Sequence, residues 1–177
     1  MDACKANTEY VLKKNQFDKG IDIKFKELRQ ELQIQKNLSL IESYDISHHA
    51  GKNAVAGCVV YTNQGKANDL YRSYNISKPN WGNDMGSMIE LIERRFSGVK
   101  TRELPDLIVV DGGKTHLKKV LRALEVCGIK GVNVISISKG IRRKATFDTI
   151  HFSSGESATI NQNSISHQFI PVSYTHL

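Results

Sequence analysis

The pattern of hydrophobic and polar positions divides the 177-residue chain into a polar beginning and a longer part with strand and helix signals. Residues 1–40 are rich in Lys and Gln, and Phe25, Leu28 and Leu32 recur there at helical spacing. We therefore predict a short helical lead-in over residues 1–40, followed by one folded domain over residues 41–170.

Three strand-like stretches follow the lead-in, and they read LIESYDISHH, AVAGCVVYTN and DLYRSYNIS. The segments between them, HAGKN and NQGKAND, contain the Gly and Asn residues that favour tight turns. Because such short connections join neighbouring antiparallel strands, the three stretches predict an antiparallel meander.

The second half of the chain alternates between helix and strand patterns. A helix over 84–96, a strand over 106–110, a second helix and a strand over 132–138 complete the order β-β-β-α-β-α-β. Helices between the later strands imply parallel pairing through right-handed crossovers. The predicted class is α/β, with a mixed sheet of three antiparallel strands and then parallel strands, flanked by helices.

The net charge of +7 comes largely from one stretch of the sequence. Between Asp111 and Lys144, nine basic residues stand against two acids. Such a stretch suits a polyanion such as nucleic acid, although a solvated helix face produces the same pattern. No apolar run is long enough for a membrane span, and the three separated cysteines favour a reducing compartment such as the cytoplasm.

Two acidic residues interrupt strand patterns where a buried charge is costly. Asp45 lies inside the first strand, and Asp111 ends the strand that precedes GGKTHL. We predict that these two strands are neighbours in the mixed sheet. At the separation of neighbouring strands the carboxylates repel each other unless a cation lies between them, and Mg²⁺ or Mn²⁺ suits such oxygen ligands. Lys114 can meet a phosphate at the N-terminus of the next helix. Asp84, at the start of the 84–96 helix, is a candidate third acid.

Each of these residues also has a structural interpretation. Asp84 follows an asparagine, which is typical of a helix N-terminus, and Asp111 before two glycines is typical of a turn. The histidines His48, His49 and His116 are scattered along the sequence, and we interpret them as packing or surface residues.

Four motifs, DISH, YRSYNI, DGGK and KGIRRKA, follow one another in this order, and together they are more specific than any of them alone. With them, residues 41 to about 170 resemble the C-terminal endonuclease domain of the UvrC family, the incision subunit of bacterial nucleotide excision repair. The resemblance implies an RNase H-like fold, which agrees with the predicted strand order. It also implies that the domain cuts the damaged strand of double-stranded DNA 5′ of a lesion, after UvrA and UvrB have located it.

The resemblance further implies roles for individual residues. Asp45 of DISH and Asp111 of DGGK are expected to be catalytic residues that bind Mg²⁺ or Mn²⁺, and Asp84 is expected to be a further catalytic acid. The basic loop that follows the last predicted strand is expected to contact DNA. The candidate phosphate contacts are Lys114 and four residues of this loop: Lys139, Arg142, Arg143 and Lys144.

The chain departs from the family where the site is expected to be completed. Family members have a histidine in a helix that reads close to IRDExH, directly after the segment that matches SISHQFI. Here SISHQFI is followed by PVSYTHL, so we accept neither His167 nor His176 as that histidine. We interpret residues 171–177 as a non-native tail, and we expect the chain to be a fragment that cuts DNA poorly by itself.

Two hypotheses of function remain open on this basis. The first is a metal-dependent DNA endonuclease domain of the UvrABC repair complex. The second is a catalytically silent nucleic-acid-binding module with the same fold and the same basic residues. They differ in whether further groups complete the site around Asp45 and Asp111.

Overall fold

The computed structural model describes residues 20–49, 53–97, 103–139 and 147–161, together with Ile165 and Phe169. Within this part of the chain, no helix is long and apolar enough to cross a membrane. The basic candidates Arg142, Arg143 and Lys144, the histidines His167 and His176, and the tail at 171–177 lie outside the described residues.

A mixed sheet of eight strands forms the centre of the described structure. Its strands are β1 (Leu40–His49), β2 (Asn53–Thr62), β3 (Gly65–Lys66), β4 (Arg72–Asn75), β5 (Leu107–Asp111), β6 (Asn133–Lys139), β7 (Phe147–Phe152) and β8 (Ser157–Asn161). The spatial order is β3-β2-β1-β5-β6-β7-β8, and β4 also pairs with β2. Strand β1 pairs antiparallel with β2 and parallel with β5, and β5 pairs parallel with β6. The predicted mixed sheet is therefore confirmed.

Helices cover both faces of the sheet. Residues 20–31 form α1, and the other two helices are α2 (Asp84–Phe96) and α3 (Lys114–Val126). In β5 all four aliphatic residues are buried, because alternate side chains enter different cores. Ile108 and Val110 pack with α2 and α3, whereas Leu107 and Val109 pack with α1. The run of apolar residues in β5 is thus that of a central parallel strand.

A buried ion pair connects α2 to β1. The side chains of Arg95 and Glu42 are 4% and 5% exposed, and two guanidinium nitrogens of Arg95 donate to the carboxylate at 2.6–3.2 Å. The hydroxyl of Tyr44 also donates to Glu42. Because these bonds are directional, they fix the position of α2 along β1, and with it the position of Asp84 at the start of the helix.

The predicted strands were incomplete at both edges of the sheet. The stretch predicted as a third strand contains a 3-10 helix (Asn68–Leu70) before the shorter β4, and β3, β7 and β8 were not predicted. In β7, buried Asp148 and His151 break the apolar alternation that marks a strand. His151 is accommodated because its ring nitrogens lie 2.9 Å from Ser138 Oγ and 2.8 Å from Ser157 Oγ. These partners are on β6 and β8, so the local pattern does not reveal them.

Candidate active site

Asp45 and Asp111 lie on neighbouring parallel strands. The register pairs Tyr44 of β1 with Val110 of β5, so the next residue on each strand is an aspartate. Neighbouring strands are about 4.8 Å apart, which brings the two acidic positions close together. The predicted pairing of these strands is confirmed, whereas the metal-binding roles of the two residues stay predictions.

The two aspartates border a cavity of about 200 Å³. Its other polar side chains are those of Asp84, the first residue of α2, and His116, in the first turn of α3. Ile46, Met88 and Gly112 complete the lining. Three carboxylates and one imidazole therefore share one concave space, where side chains from β1, α2, β5 and α3 meet.

The surroundings raise the pKa of Asp111 above its usual value. Burial is the largest cause, and the negative charges of Asp45 and Asp148 act in the same direction. Lys139 and His116 act against the shift. A carboxylate whose charge is disfavoured in this way gains stabilisation when a cation comes to lie beside it.

Asp84 is in the cavity wall while its neighbour caps the helix. The side-chain oxygen of Asn83 accepts a hydrogen bond from the backbone N–H of Gly86 at 3.0 Å. Of Asn83 and Asp84, which the sequence places at the helix N-terminus, Asn83 is therefore the N-cap residue of α2. Further along α2, Glu90 accepts a hydrogen bond from the Asn80 side chain at 2.7 Å, which holds the loop before α2 against the helix.

The position of His116 explains why the residue directly after Asp111 is a glycine, Gly112. Gly112 has a φ of 137°, and a Cβ atom there would lie 2.6 Å from Cγ of His116. Glycine therefore permits the backbone conformation and also leaves room for the imidazole. The interpretation of His116 as a packing or surface residue did not anticipate that its side chain lines this cavity. The available signal was its place in the first helical turn after the strand, where side chains lean toward the helix N-terminus.

Of the five predicted phosphate contacts, the structure describes Lys114 and Lys139. Lys114 is exposed in the first turn of α3, and its ammonium nitrogen lies 3.5 Å from the carbonyl oxygen of Gly155. Lys139 is exposed at the end of β6, and its charge acts to lower the pKa of Asp111. Both lysines are thus available to an anion near the strand ends.

The donor set fits a cation that keeps most of its ligands as water or phosphate. Among the described residues, no group of three or more His, Cys, Asp or Glu side chains converges closely enough to hold a metal ion by itself. Mg²⁺ is commonly bound by one or two carboxylates together with waters and substrate phosphates. Asp45 and Asp111 provide such a pair of carboxylates beside an open polar cavity.

A protein-family model of the UvrC RNase H endonuclease domain matches residues 29–172. The chain belongs to this family. UvrABC system protein C of Legionella pneumophila is 35% identical over 143 residues, which are 80% of this chain and 22% of that protein. UvrABC system protein C of Nitrosococcus oceani is 36% identical over 153 residues, which are 86% of this chain and 25% of that protein. The chain thus spans between 22% and 25% of the length of these curated relatives.

The family confirms the resemblance stated from the motifs, and it identifies the mixed sheet as RNase H-like. There is also a weaker likeness to a solved structure of endonuclease V from Ciona intestinalis in complex with a 24-mer DNA. Its TM-score is 0.42 at 15% identity, over 78% of this chain and 59% of that chain.

Proposed function

We propose that this chain is the endonuclease domain of a UvrC-type protein that cuts one strand of damaged DNA, 5′ of the lesion, in nucleotide excision repair. The observation that carries the proposal is the adjacency of Asp45 and Asp111 beside a polar cavity, in a chain of this family. The relatives named UvrABC system protein C support the repair context.

In this proposal Asp45 and Asp111 hold one Mg²⁺ or Mn²⁺ ion. When bound, such an ion supplies Lewis-acid stabilisation of the phosphate and lowers the pKa of a bound water. The chain's own contribution is to hold two carboxylates side by side on a rigid sheet, so that little reorganisation is needed when the ion and the phosphate arrive. Asp84 is a third acid in the cavity wall, where it can orient a water molecule.

The DNA backbone is proposed to run along the basic residues near the strand ends. Contacts between lysine or arginine and phosphate release counterions, so binding should weaken steeply as salt rises. The residues proposed for these contacts are Lys114, Lys139, Arg142, Arg143 and Lys144.

The partners and location that we propose follow the family. The substrate is damaged double-stranded DNA, UvrB is the direct protein partner, and UvrA acts indirectly through UvrB. A cytoplasmic location agrees with Cys58 and Cys127, which are free thiols in the structure. For the isolated 177 residues we keep the expectation of little or no cutting.

The proposal predicts a separation of cutting from binding. In the full-length protein, Asp45→Ala or Asp111→Ala should lower the nicking rate by more than about 100-fold, because a metal ligand positions the chemistry. DNA binding should change little, because neither residue is a phosphate anchor. The measurement is nicking of a lesion-bearing duplex by the variant with UvrA, UvrB and Mg²⁺ or Mn²⁺, beside a binding assay.

The matched control is Asp69→Ala, which removes an exposed acid that does not line the cavity. This variant should cut at the wild-type rate. Robust metal-dependent cutting by Asp45→Ala would show that the metal ligand is misassigned. Binding without any cutting by the wild-type protein and its partners would favour the silent nucleic-acid-binding module instead.

A further inference from the structure

The imidazole of His116 shares the cavity with three carboxylates, yet no hydrogen bond joins its ring to another described residue. Its negative neighbour Asp111 interacts with it electrostatically, but without a direct bond. A surface or packing histidine has no need to lie among Asp45, Asp84 and Asp111. The arrangement leaves the ring nitrogens available to something that enters the cavity.

The imidazole ring lies close against the backbone of Gly112, and no described residue holds it by a hydrogen bond. Its Cγ, Nδ1 and Cβ atoms lie 2.6–2.9 Å from the place where a Cβ of Gly112 would be, so any larger residue at that position would displace it. His116 also belongs to the first turn of α3, so the helix fixes where its side chain begins. A group held in this way can meet a ligand without first being ordered by it.

The chemistry of the cavity indicates which ligand this is. Ionised carboxylates only accept hydrogen bonds, whereas an imidazole has at least one N–H donor in either protonation state. An anionic oxygen that enters the cavity beside a cation therefore finds its side-chain donor in His116. The start of α3 adds partial positive charge on the same side.

We propose that His116 contacts the phosphodiester that is cut, and that its imidazole N–H donates a hydrogen bond to a phosphate oxygen. The inference rests on the proposed nuclease function, and it extends that function to a residue outside the motif acids. We do not assign His116 to the metal, because Mg²⁺ prefers oxygen ligands. In addition, no three His, Cys, Asp or Glu side chains of the described residues are grouped closely enough to hold a metal ion.

The test uses the full-length protein with UvrA, UvrB and a lesion-bearing duplex under single-turnover conditions. His116→Ala should lower the rate of nicking by about 10- to 100-fold, because a hydrogen bond to a charged group is lost. His116→Gln should retain most of the rate, since its amide N–H can donate in the same direction. His116→Phe should be as slow as His116→Ala, because it fills the space without a donor. Thr115→Ala, an exposed position in the same turn, is the matched control and should cut normally.

A second readout separates the phosphate contact from a metal ligand. Binding of Mn²⁺ to the same variants, measured by electron paramagnetic resonance without DNA, should be unchanged by His116→Ala. A clear loss of Mn²⁺ affinity would make His116 a metal ligand and would overturn the inference.

The remaining outcomes distinguish this inference from the proposed function. If His116→Ala cuts at the wild-type rate while Asp45→Ala is inactive, the inference is overturned but the proposed function is not. Wild-type cutting by Asp45→Ala would remove the proposed function and the inference with it. If His116→Ala does not fold, the test rests on His116→Gln and His116→Phe, because both keep a sizeable side chain. Equal rates of nicking for these two variants would overturn the inference.

Discussion

Two aspartates stand at opposite ends of strand β5, and their surroundings are opposite in character. Asp106, directly before the strand, accepts hydrogen bonds from the hydroxyl and backbone N–H of Ser39 and from the backbone N–H of Leu40 at 2.8–3.1 Å. The ammonium of Lys36 lies 2.8 Å from the same carboxylate. Burial alone would raise the pKa of Asp106, but these donors outweigh burial and lower it.

Among the described residues, no comparable set of hydrogen-bond donors surrounds Asp111, at the other end of the strand. Burial raises the pKa of Asp111, and the neighbouring Asp45 adds to the shift. From this comparison we propose that Asp106 is a structural acid and Asp111 a functional one. A structural acid is satisfied by the fold and stabilises it, whereas a functional acid is left for a ligand that the fold does not supply.

The largest change in stability is expected when Glu42, a buried structural acid, loses its partner Arg95. Arg95→Met should lower the free energy of unfolding by about 3–5 kcal/mol, because it leaves the Glu42 charge buried without its partner. Urea unfolding at neutral pH measures this loss. The matched control is Arg94→Met on the exposed side of α2, where the ion pair to Glu90 at 3.5 Å should contribute less than about 1 kcal/mol. An equal loss for both variants would show that burial does not decide the effect.

A smaller loss is expected at Asp106. Asp106→Ala should lower the free energy of unfolding by about 2–3 kcal/mol at neutral pH, because backbone N–H groups at the start of β1 lose their acceptor. Asp106→Asn should lose less, since its amide oxygen can still accept.

The pH dependence at Asp106 follows from its lowered pKa. Its contribution is fully present above the unfolded pKa of about 3.9, and it is lost as pH falls through the lower folded value. Acid unfolding of Asp106→Asn should therefore be shallower below about pH 4. Glu103→Ala, at an exposed position on the same loop, should leave both stability and the acid slope unchanged. A slope in Asp106→Asn as steep as in the wild type would contradict the assignment.

The smallest effect, and one of opposite sign, is expected at Asp111. Its raised pKa means that this carboxylate favours folding only below the unfolded pKa, and the benefit is lost as pH rises through the folded value. Without divalent ions, Asp111→Asn should stabilise the fold at neutral pH by about 0.5–1 kcal/mol after allowance for solvent screening. The gain should shrink as pH falls toward about 3.9, where the wild-type carboxyl is protonated as well.

Divalent ions should change the stability of the wild type and of Asp111→Asn by different amounts. Mn²⁺ or Mg²⁺ should raise the Tm of the wild type, because ligand binding to the folded state stabilises it, and should raise the Tm of Asp111→Asn much less. Asp69→Asn, with its exposed acid, should respond as the wild type does. A destabilised Asp111→Asn, or an equal response to Mn²⁺, would place Asp111 with the structural acids.

Much of the site was predictable from the sequence because its signals are local. The aliphatic run before Asp111 and the acid within the first strand pattern both mark strand residues where a charge needs a special reason. The short turn after β1 and the helical pattern before β5 restrict the pairing to a few topologies. These patterns sufficed to predict that Asp45 and Asp111 lie on neighbouring strands, as the register shows.

Only the tertiary structure decided which distant groups satisfy one another. Glu42 and Arg95 are 53 positions apart, and nothing in either local pattern indicates a buried pair. His151 is buried in the sheet because each of its ring nitrogens lies within hydrogen-bonding distance of a serine on a neighbouring strand. His116 lines the cavity because Gly112 leaves room for its ring. Periodicity reports which face of an element is apolar, but the partner of a polar group is set by packing between elements. For that reason the sequence alone indicated the carboxylates of the site, and the folded chain added the histidine.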